Sequence, residues 1–514
     1  MKRLPVLAAT VTAAILVAAG CGGGSDSGAG LASLASPQTR IFVEGTVRPS
    51  GELKASTDEV AKKVAGVDNL GAFVVEKLEE SARGEGEPFD FEKEVEPWLG
   101  ENAALSWEKG DDDEPLIVVE STDTAATQEF IDNQASESKK PYRETSYEGV
   151  DFMVGGKEDN AMGVIGDFLV GAEDEETFRA AVDASSGESL GEQDRFQSAM
   201  DGATEGSLAD AYVDVGGLLK ESGDEIDPQA RELLKGAGID PSDATALASL
   251  LPADDRIEVD ISSGLGGEEP PHGDASMLLG SLPADSFAAF AVSGFGEQLQ
   301  EALDSLDESG IPGQVPPGQL KSGLKEAGID LDRIASSLED AGVFARGDSK
   351  QSLGGALILT TDDSQQASNT VRTIGRFLRN VDTPGVTAVT GKASGFSIRS
   401  EDLGRKPLVV VAKGSRIAIG YGLAPALSGL ASGGGHQLSG TPAYGEAVDA
   451  LGDTPISAFV NGPAALSLAD ALVPKSDSDF QEAKRYLRAI SSIALGSSSE
   501  GDLARAKLIV GLGK

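Results

Sequence analysis

The sequence is short of the residues on which most protein chemistry depends. It has one cysteine and two histidines in 514 residues. One cysteine excludes an internal disulfide framework and Cys-rich zinc or iron–sulfur sites. Two histidines leave little for imidazole catalysis or a His-rich metal site. Aromatic residues make up 5% of the chain, so stacking platforms are few. Lys and Arg number 42 against 84 Asp and Glu, a net charge of −42. A nucleic-acid partner is excluded on that ground, because binding a phosphate backbone needs cations to displace its counterions. After the first twenty residues no apolar run approaches the ~20 residues of a membrane-spanning helix.

What is present begins at the N-terminus. Residues 1–20 have the layout of a secretory signal peptide: Lys2 and Arg3, an apolar run from Leu4 to Ala19, then small residues. The chain's single cysteine, Cys21, follows Ala18-Ala19-Gly20 directly. That arrangement resembles the lipobox of bacterial lipoproteins, with Ala18 where leucine is usual. The resemblance implies that Cys21 is diacylated on its sulfur and becomes the mature N-terminus. Two acyl chains anchor a protein stably where one does not. Residues 21–37, rich in Gly and Ser, read as a flexible tether. The expected location is the extracytoplasmic face of the cell membrane, with the membrane itself a partner through the anchor.

The rest reads as a duplication. Leu190, Phe196, Ala199, Met200 and Asp201 recur with the same spacing as Leu438, Tyr444, Ala447, Val448 and Asp449. Ala211-Tyr212-Val213-Asp214 matches Ala458-Phe459-Val460-Asn461. Ile117–Glu120 before Ser121-Thr122-Asp123 matches Ala356–Leu359 before Thr360-Thr361-Asp362. Each is a β-rich run followed by a helix N-cap signal. The expectation is α+β, with two duplicated domains at 38–265 and 274–514, each a largely antiparallel sheet packed by helices. In each half, single strands are expected at Gly163–Val170 and Leu408–Gly420. The Gly/Pro-rich stretch Gly264–Gly273 marks the junction.

This layout resembles the uncharacterised DUF3352 family of bacterial envelope proteins. The resemblance rests on Leu282-Pro283-Ala284-Asp285, on Trp98-Leu99-Gly100 with Ala104-Leu105-Ser106-Trp107, and on the Phe196/Tyr444 repeats. It implies fold and location over residues 38–514 and brings no activity.

Candidate chemistry mostly fails on its surroundings. Gly187-Glu188-Ser189-Leu190-Gly191 fits G-x-S-x-G, but a helical stretch precedes it where a nucleophile elbow needs a strand. Gly420-Tyr421-Gly422 begins like a dinucleotide fingerprint, yet Pro425 replaces its third glycine. Asp111-Asp112-Asp113-Glu114 lacks the alternating ligands of a calcium loop. No catalytic residue, cofactor or metal is therefore assigned. The charge is also unevenly spread: residues 1–350 carry −44 and residues 351–514 carry +2. Arg372, Arg376 and Arg379 share one face of an expected helix and form a candidate docking face for the acidic first half of the chain or for anionic headgroups. The expected function is non-enzymatic binding or structure at the cell envelope, with an apolar or lipid ligand between sheet and helices. The alternative is a carboxylate-based hydrolase of envelope polysaccharide.

Overall fold

The computed structural model describes residues 27–85, 89–108, 115–138, 141–155, 160–221, 244–264, 273–310, 315–401, 403–404, 406–431, 436–500 and 503–513. The leader with Cys21, the Asp111–Glu114 run and most of the 264–273 junction lie outside these residues. The chain divides into two compact units. One runs to Pro270 and takes in Ser499–Ala506, and the other comprises Pro271–Ser498 and Lys507–Gly513. Both helix and antiparallel sheet are abundant, so the fold is α+β.

The first unit contains strands β1 (Ile41–Thr46), β2 (Leu99–Trp107), β3 (Leu116–Ser121), β4 (Tyr142–Tyr147), β5 (Val150–Gly155), β6 (Asn160–Ile165), β7 (Phe168–Ala172), β8 (Ala209–Val213), β9 (Thr245–Ala253) and β10 (Arg256–Gly264). They pair in the order 4-5-6-7-3-2-1-8-9-10, antiparallel throughout. Its helices are α1 (Ser27–Ala32), α2 (Gly51–Ala65), α3 (Leu70–Glu85), α4 (Phe91–Glu94), α5 (Thr124–Glu137), α6 (Glu175–Ser186), α7 (Asp194–Met200) and α8 (Val215–Glu221).

The central strand β3 shows why hydrophobic alternation is weak here. Leu116, Ile117, Val118 and Val119 are all buried. Leu116 and Val118 join one core with Phe42, Phe178 and Tyr212, while Ile117 and Val119 join another with Trp98, Leu105 and Phe130. The sheet is covered on both faces, so its middle strand has no polar side.

The second unit contains β11 (Ser286–Val292), β12 (Leu338–Arg346), β13 (Gly354–Thr361), β14 (Val386–Val389), β15 (Ser394–Ile398), β16 (Leu408–Lys413), β17 (Arg416–Tyr421), β18 (Ile456–Asn461) and β19 (Ile490–Glu500), with β20 (Leu503–Leu512) closing the chain. Their order is 14-15-16-17-13-12-11-18-19, again antiparallel. The helices are α9 (Ser276–Gly280), α10 (Phe295–Ser309), α11 (Leu320–Glu326), α12 (Leu331–Ala335), α13 (Ser364–Asn380), α14 (Leu423–Gly429), α15 (Pro442–Leu451), α16 (Gly462–Leu472) and α17 (Ser478–Leu487). Here too the sheet separates two cores, one around Phe344 and Phe459 and one around Val371 and Phe396.

Three expectations need correction. The flexible tether does not reach residue 37: Leu31, Ala32, Leu34 and Ala35 are at most 2% exposed and belong to the first unit's core. Gly163–Val170 and Leu408–Gly420 are not single strands. Each is a hairpin whose two-residue turn starts on a glycine at positive φ, Gly166 at 59° and Gly414 at 59°. Glycine there suits the turn that matches strand twist. The second Thr-Asp helix cap is displaced by one residue. Asp123 accepts from the Ala125 and Ala126 amides, but in the second unit Asp363, not Asp362, accepts from the Gln365 amide at 2.9 Å.

Candidate functional site

The candidate site is a cavity of about 750 Å³ inside the first unit. Its floor is the β2–β3 face carrying Trp98, Leu99, Ala103 and Val119, with Phe130 of α5 beside them. Its cover is formed by α3 and by residues 89–95 around α4, which contribute Val74, Val75, Leu78, Phe89, Phe91 and Val95. Such a size and lining match sites for small organic ligands, about 300–1,000 Å³ and mostly apolar.

The floor is held rigidly. Trp98 is 2% exposed, and its indole N–H donates to the Glu94 carbonyl at 2.6 Å. Its own carbonyl accepts from the Thr122 amide at 2.8 Å. Register shifts between Leu99 and Ala103. Glu120 fastens that irregularity by accepting from the Glu101 and Asn102 amides, both at 3.1 Å. Gly100 is needed because a Cβ there would lie 2.6 Å from the Glu120 side chain. Arg48 donates to the Leu99 carbonyl at 2.9 Å and pairs with the Glu96 carboxylate at 3.7 Å.

The cover is tied at both ends. Asp58 of α2 accepts from the Leu70 amide at 2.9 Å, and Asn69 accepts from the Ala72 amide at 2.9 Å. Glu79 of α3 accepts from the Phe91 amide at 3.0 Å, which joins α3 to α4. Val74, Leu78 and Ala82 recur at helical spacing and are at most 5% exposed, so α3 turns one apolar face inward. The space exists because α2 packs on β9 instead of on β2. In the second unit the helix following the first strand, α10, lies directly on β12. Phe295 and Leu299 pack on that core, and Gly296 admits the Leu338 carbonyl to 2.1 Å from where a Cβ would stand.

Other signals in the sequence do not converge on this site. Ser189 is 3% exposed, between α6 and a short 3-10 turn at Leu190–Glu192, with no strand before it. Gly420, the penultimate residue of β17, lies against Ala426, and Pro425 is buried in the first turn of α14. Among the described residues no group of three His, Cys, Asp or Glu has the geometry to hold a metal ion. Arg372, Arg376 and Arg379 are exposed on α13, while Val371 and Ile374 face that unit's core. Arg372 donates to Asn369 Oδ1 at 3.2 Å. Lys484, in the other basic cluster, is paired with Asp470.

The strongest electrostatic feature lies elsewhere in the first unit. Glu44, Asp210, Ser249 and Asp260 stand directly opposite one another across β1, β8, β9 and β10. Burial, and then the Asp210 carboxylate, push Glu44 up to about 7. Burial also raises Asp210, against hydrogen bonds from Ser207 and Ser249.

No motif in the sequence marks the cavity. The available signal was the Val74, Leu78, Ala82 stripe followed by Phe89 and Phe91, more apolar surface than one short helix turn buries.

A family model described as a protein of unknown function, DUF3352, matches residues 75–392, more than half of the chain. No curated protein matches it. Among solved structures, crystal forms I and III of TP0453 are similar, each at 11% identity. Their TM-scores are 0.25 and 0.24, covering 47% and 46% of this chain and 80% and 79% of theirs.

Proposed function

We propose that this chain, which belongs to the DUF3352 family, is a lipid-anchored envelope protein whose first unit binds an apolar ligand. The observation that carries this reading is the 750 Å³ apolar cavity between α3–α4 and the β2–β3 face. Burying a ligand's apolar surface there stabilises the complex by roughly 25 cal/mol per Å² of surface removed from water.

The anchor is Cys21, preceded by a leader of lipoprotein type. No helix among the described residues is long and apolar enough to cross a membrane. The two units are read as a duplication. Their identical order over nine strands supports this, as does a recurring aromatic pair. Phe196 meets Tyr212 edge-on at 5.1 Å, and Tyr444 meets Phe459 at 5.3 Å. In the second unit, α13 presents Arg372, Arg376 and Arg379 without one acidic residue between Ser364 and Asn380, which suits an anionic headgroup layer.

The test is organic extraction of the chain produced without its leader, beginning at Gly22 so that Leu31 and Leu34 stay in the core. Mass spectrometry of the extract should find a retained apolar compound. Empty protein from repeated preparations, with no uptake of added lipid, would overturn the reading.

A further inference from the structure

The cavity is apolar inside and anionic at its mouth. Five carboxylates line it, those of Glu76, Glu79, Asp90, Glu92 and Glu96, against two guanidinium groups, those of Arg48 and Arg83. The cations nearby are already engaged. Arg48 pairs with Glu96 and donates to the Leu99 carbonyl, Lys93 pairs with Asp90, and Lys77 pairs with Glu80. Arg83 is exposed on α3, where its charge acts on Glu80 as well. Glu79 uses one carboxylate oxygen to hold the Phe91 amide. Glu76 and Glu92 are exposed, and among the described residues no side chain pairs with either. Along the rim, Phe89 and Phe91 alternate with Asp90 and Glu92, and both rings are half-buried. Aromatic rings beside carboxylates attract an ammonium group in two ways, through the ring quadrupole and through charge. An anionic head meets repulsion within a Debye length of about 8–10 Å, and an uncharged head leaves Glu76 and Glu92 without a counter-charge.

We propose that the cavity takes a cationic amphiphile, with an apolar body over Trp98 and Phe130 and an ammonium head held at the mouth by Glu76 and Glu92. The inference rests on the ligand-binding reading above and narrows it to one charge class. An exposed ion pair contributes little by itself. The buried apolar body therefore supplies most of the affinity, and the carboxylates select which head accompanies it.

The test uses the leaderless chain loaded with Nile red, an uncharged apolar dye, and three displacing ligands with the same oleoyl chain. These are oleoylcholine, monoolein and oleoyl lysophosphatidylglycerol, each below its aggregation concentration. Oleoylcholine should displace the dye at about tenfold lower concentration than monoolein, with the anionic ligand weakest, and the gaps should narrow as salt is raised. The double variant Glu76→Gln/Glu92→Gln should bring oleoylcholine close to monoolein. Glu176 and Glu188, on and just after α6, are exposed on the opposite face of the same sheet. Glu176→Gln/Glu188→Gln removes as much charge and should leave the preference unchanged, which separates the mouth from the acidity of the whole chain. Equal potency of the three ligands, an unchanged preference in the mouth variant, or the same loss in both double variants overturns the head-group assignment and leaves the cavity reading standing. If folded Val75→Trp, which places a large ring in the cavity, takes up dye as well as the parent does, the cavity reading itself is overturned.

Discussion

Trp98 and Phe130 meet with ring centroids 5.4 Å apart and planes inclined at 44°. One ring comes from the residue just before β2 and the other from α5, so the contact joins the strand's entry to the helix at the cavity floor. Trp98 is anchored by its indole hydrogen bond to Glu94, which leaves Phe130 to set how far the floor extends. Phe130→Ala should therefore enlarge the cavity and destabilise the unit by about 3–5 kcal/mol. Thermal unfolding should show the loss, and added monoolein should recover part of it by filling the space.

Val75 offers the opposite change. It lines the cavity from α3 and is only partly buried, so a larger side chain there fills space without displacing the core. Val75→Trp should leave the melting temperature within a few degrees of the parent. It should also lower the amount of apolar ligand recovered by extraction. A full load of ligand in a folded Val75→Trp protein would place the binding site elsewhere.

The two hairpin glycines make a paired prediction. Gly166 and Gly414 both hold φ at 59°, with open space where a Cβ would go. Alanine therefore meets no clash and loses only backbone conformational energy. Gly166→Ala and Gly414→Ala should each cost about 1–2 kcal/mol, measured by denaturant unfolding. A neutral result at either position would mean that the turn relaxes to another type.

Glu44 makes a pH prediction with a definite sign. Its folded value of about 7 stands above the ordinary 4.5, and its Oε2 has no hydrogen-bond partner. Between those values the folded protein keeps a proton that the unfolded chain has released. Stability from this group is therefore complete below pH 4.5 and lost as pH rises through 7. Glu44→Gln should remove that slope and raise stability above pH 7 by up to about 3 kcal/mol. Melting temperatures of the two proteins at pH 8 and pH 5 test this: the gap should be wide at pH 8 and narrow toward pH 5.

Much of this architecture was legible because repetition carries information that one segment lacks. Tyr212 and Phe459 are recognisable as core strands because each follows its matched aromatic, Phe196 or Tyr444, in a similar run of residues, although each strand alone is short. The hairpins at Gly166 and Gly414 were hidden because Val164, Ile165, Phe168 and Leu169 form a nearly unbroken apolar stretch. Only a glycine and one polar residue mark each turn. Leu31 and Leu34 were hidden for a different reason. They follow Gly/Ser-rich sequence, and composition there outweighs the few apolar residues that tertiary packing captures. The cavity depends on where α2 packs, which is a long-range preference for β9 that no local pattern encodes.

The arginines of α13 lead to a prediction about the membrane. Arg372, Arg376 and Arg379 are exposed, the helix carries no acid, and Val381 just beyond it is 55% exposed. Cations beside an exposed apolar residue suit a headgroup layer, where each basic residue near an anionic surface contributes about 1 kcal/mol. The acids that line the cavity mouth, Glu76, Glu79, Asp90, Glu92 and Glu96, have the opposite preference and are repelled by the same surface. The leaderless chain should bind vesicles containing phosphatidylglycerol weakly, more at low than at high salt, and should not bind pure phosphatidylcholine. Reversing Arg372, Arg376 and Arg379 to Glu should abolish that binding without changing Nile red uptake, because the cavity lies in the first unit. Undiminished sedimentation of the triple variant with phosphatidylglycerol vesicles would exclude this helix as the docking face.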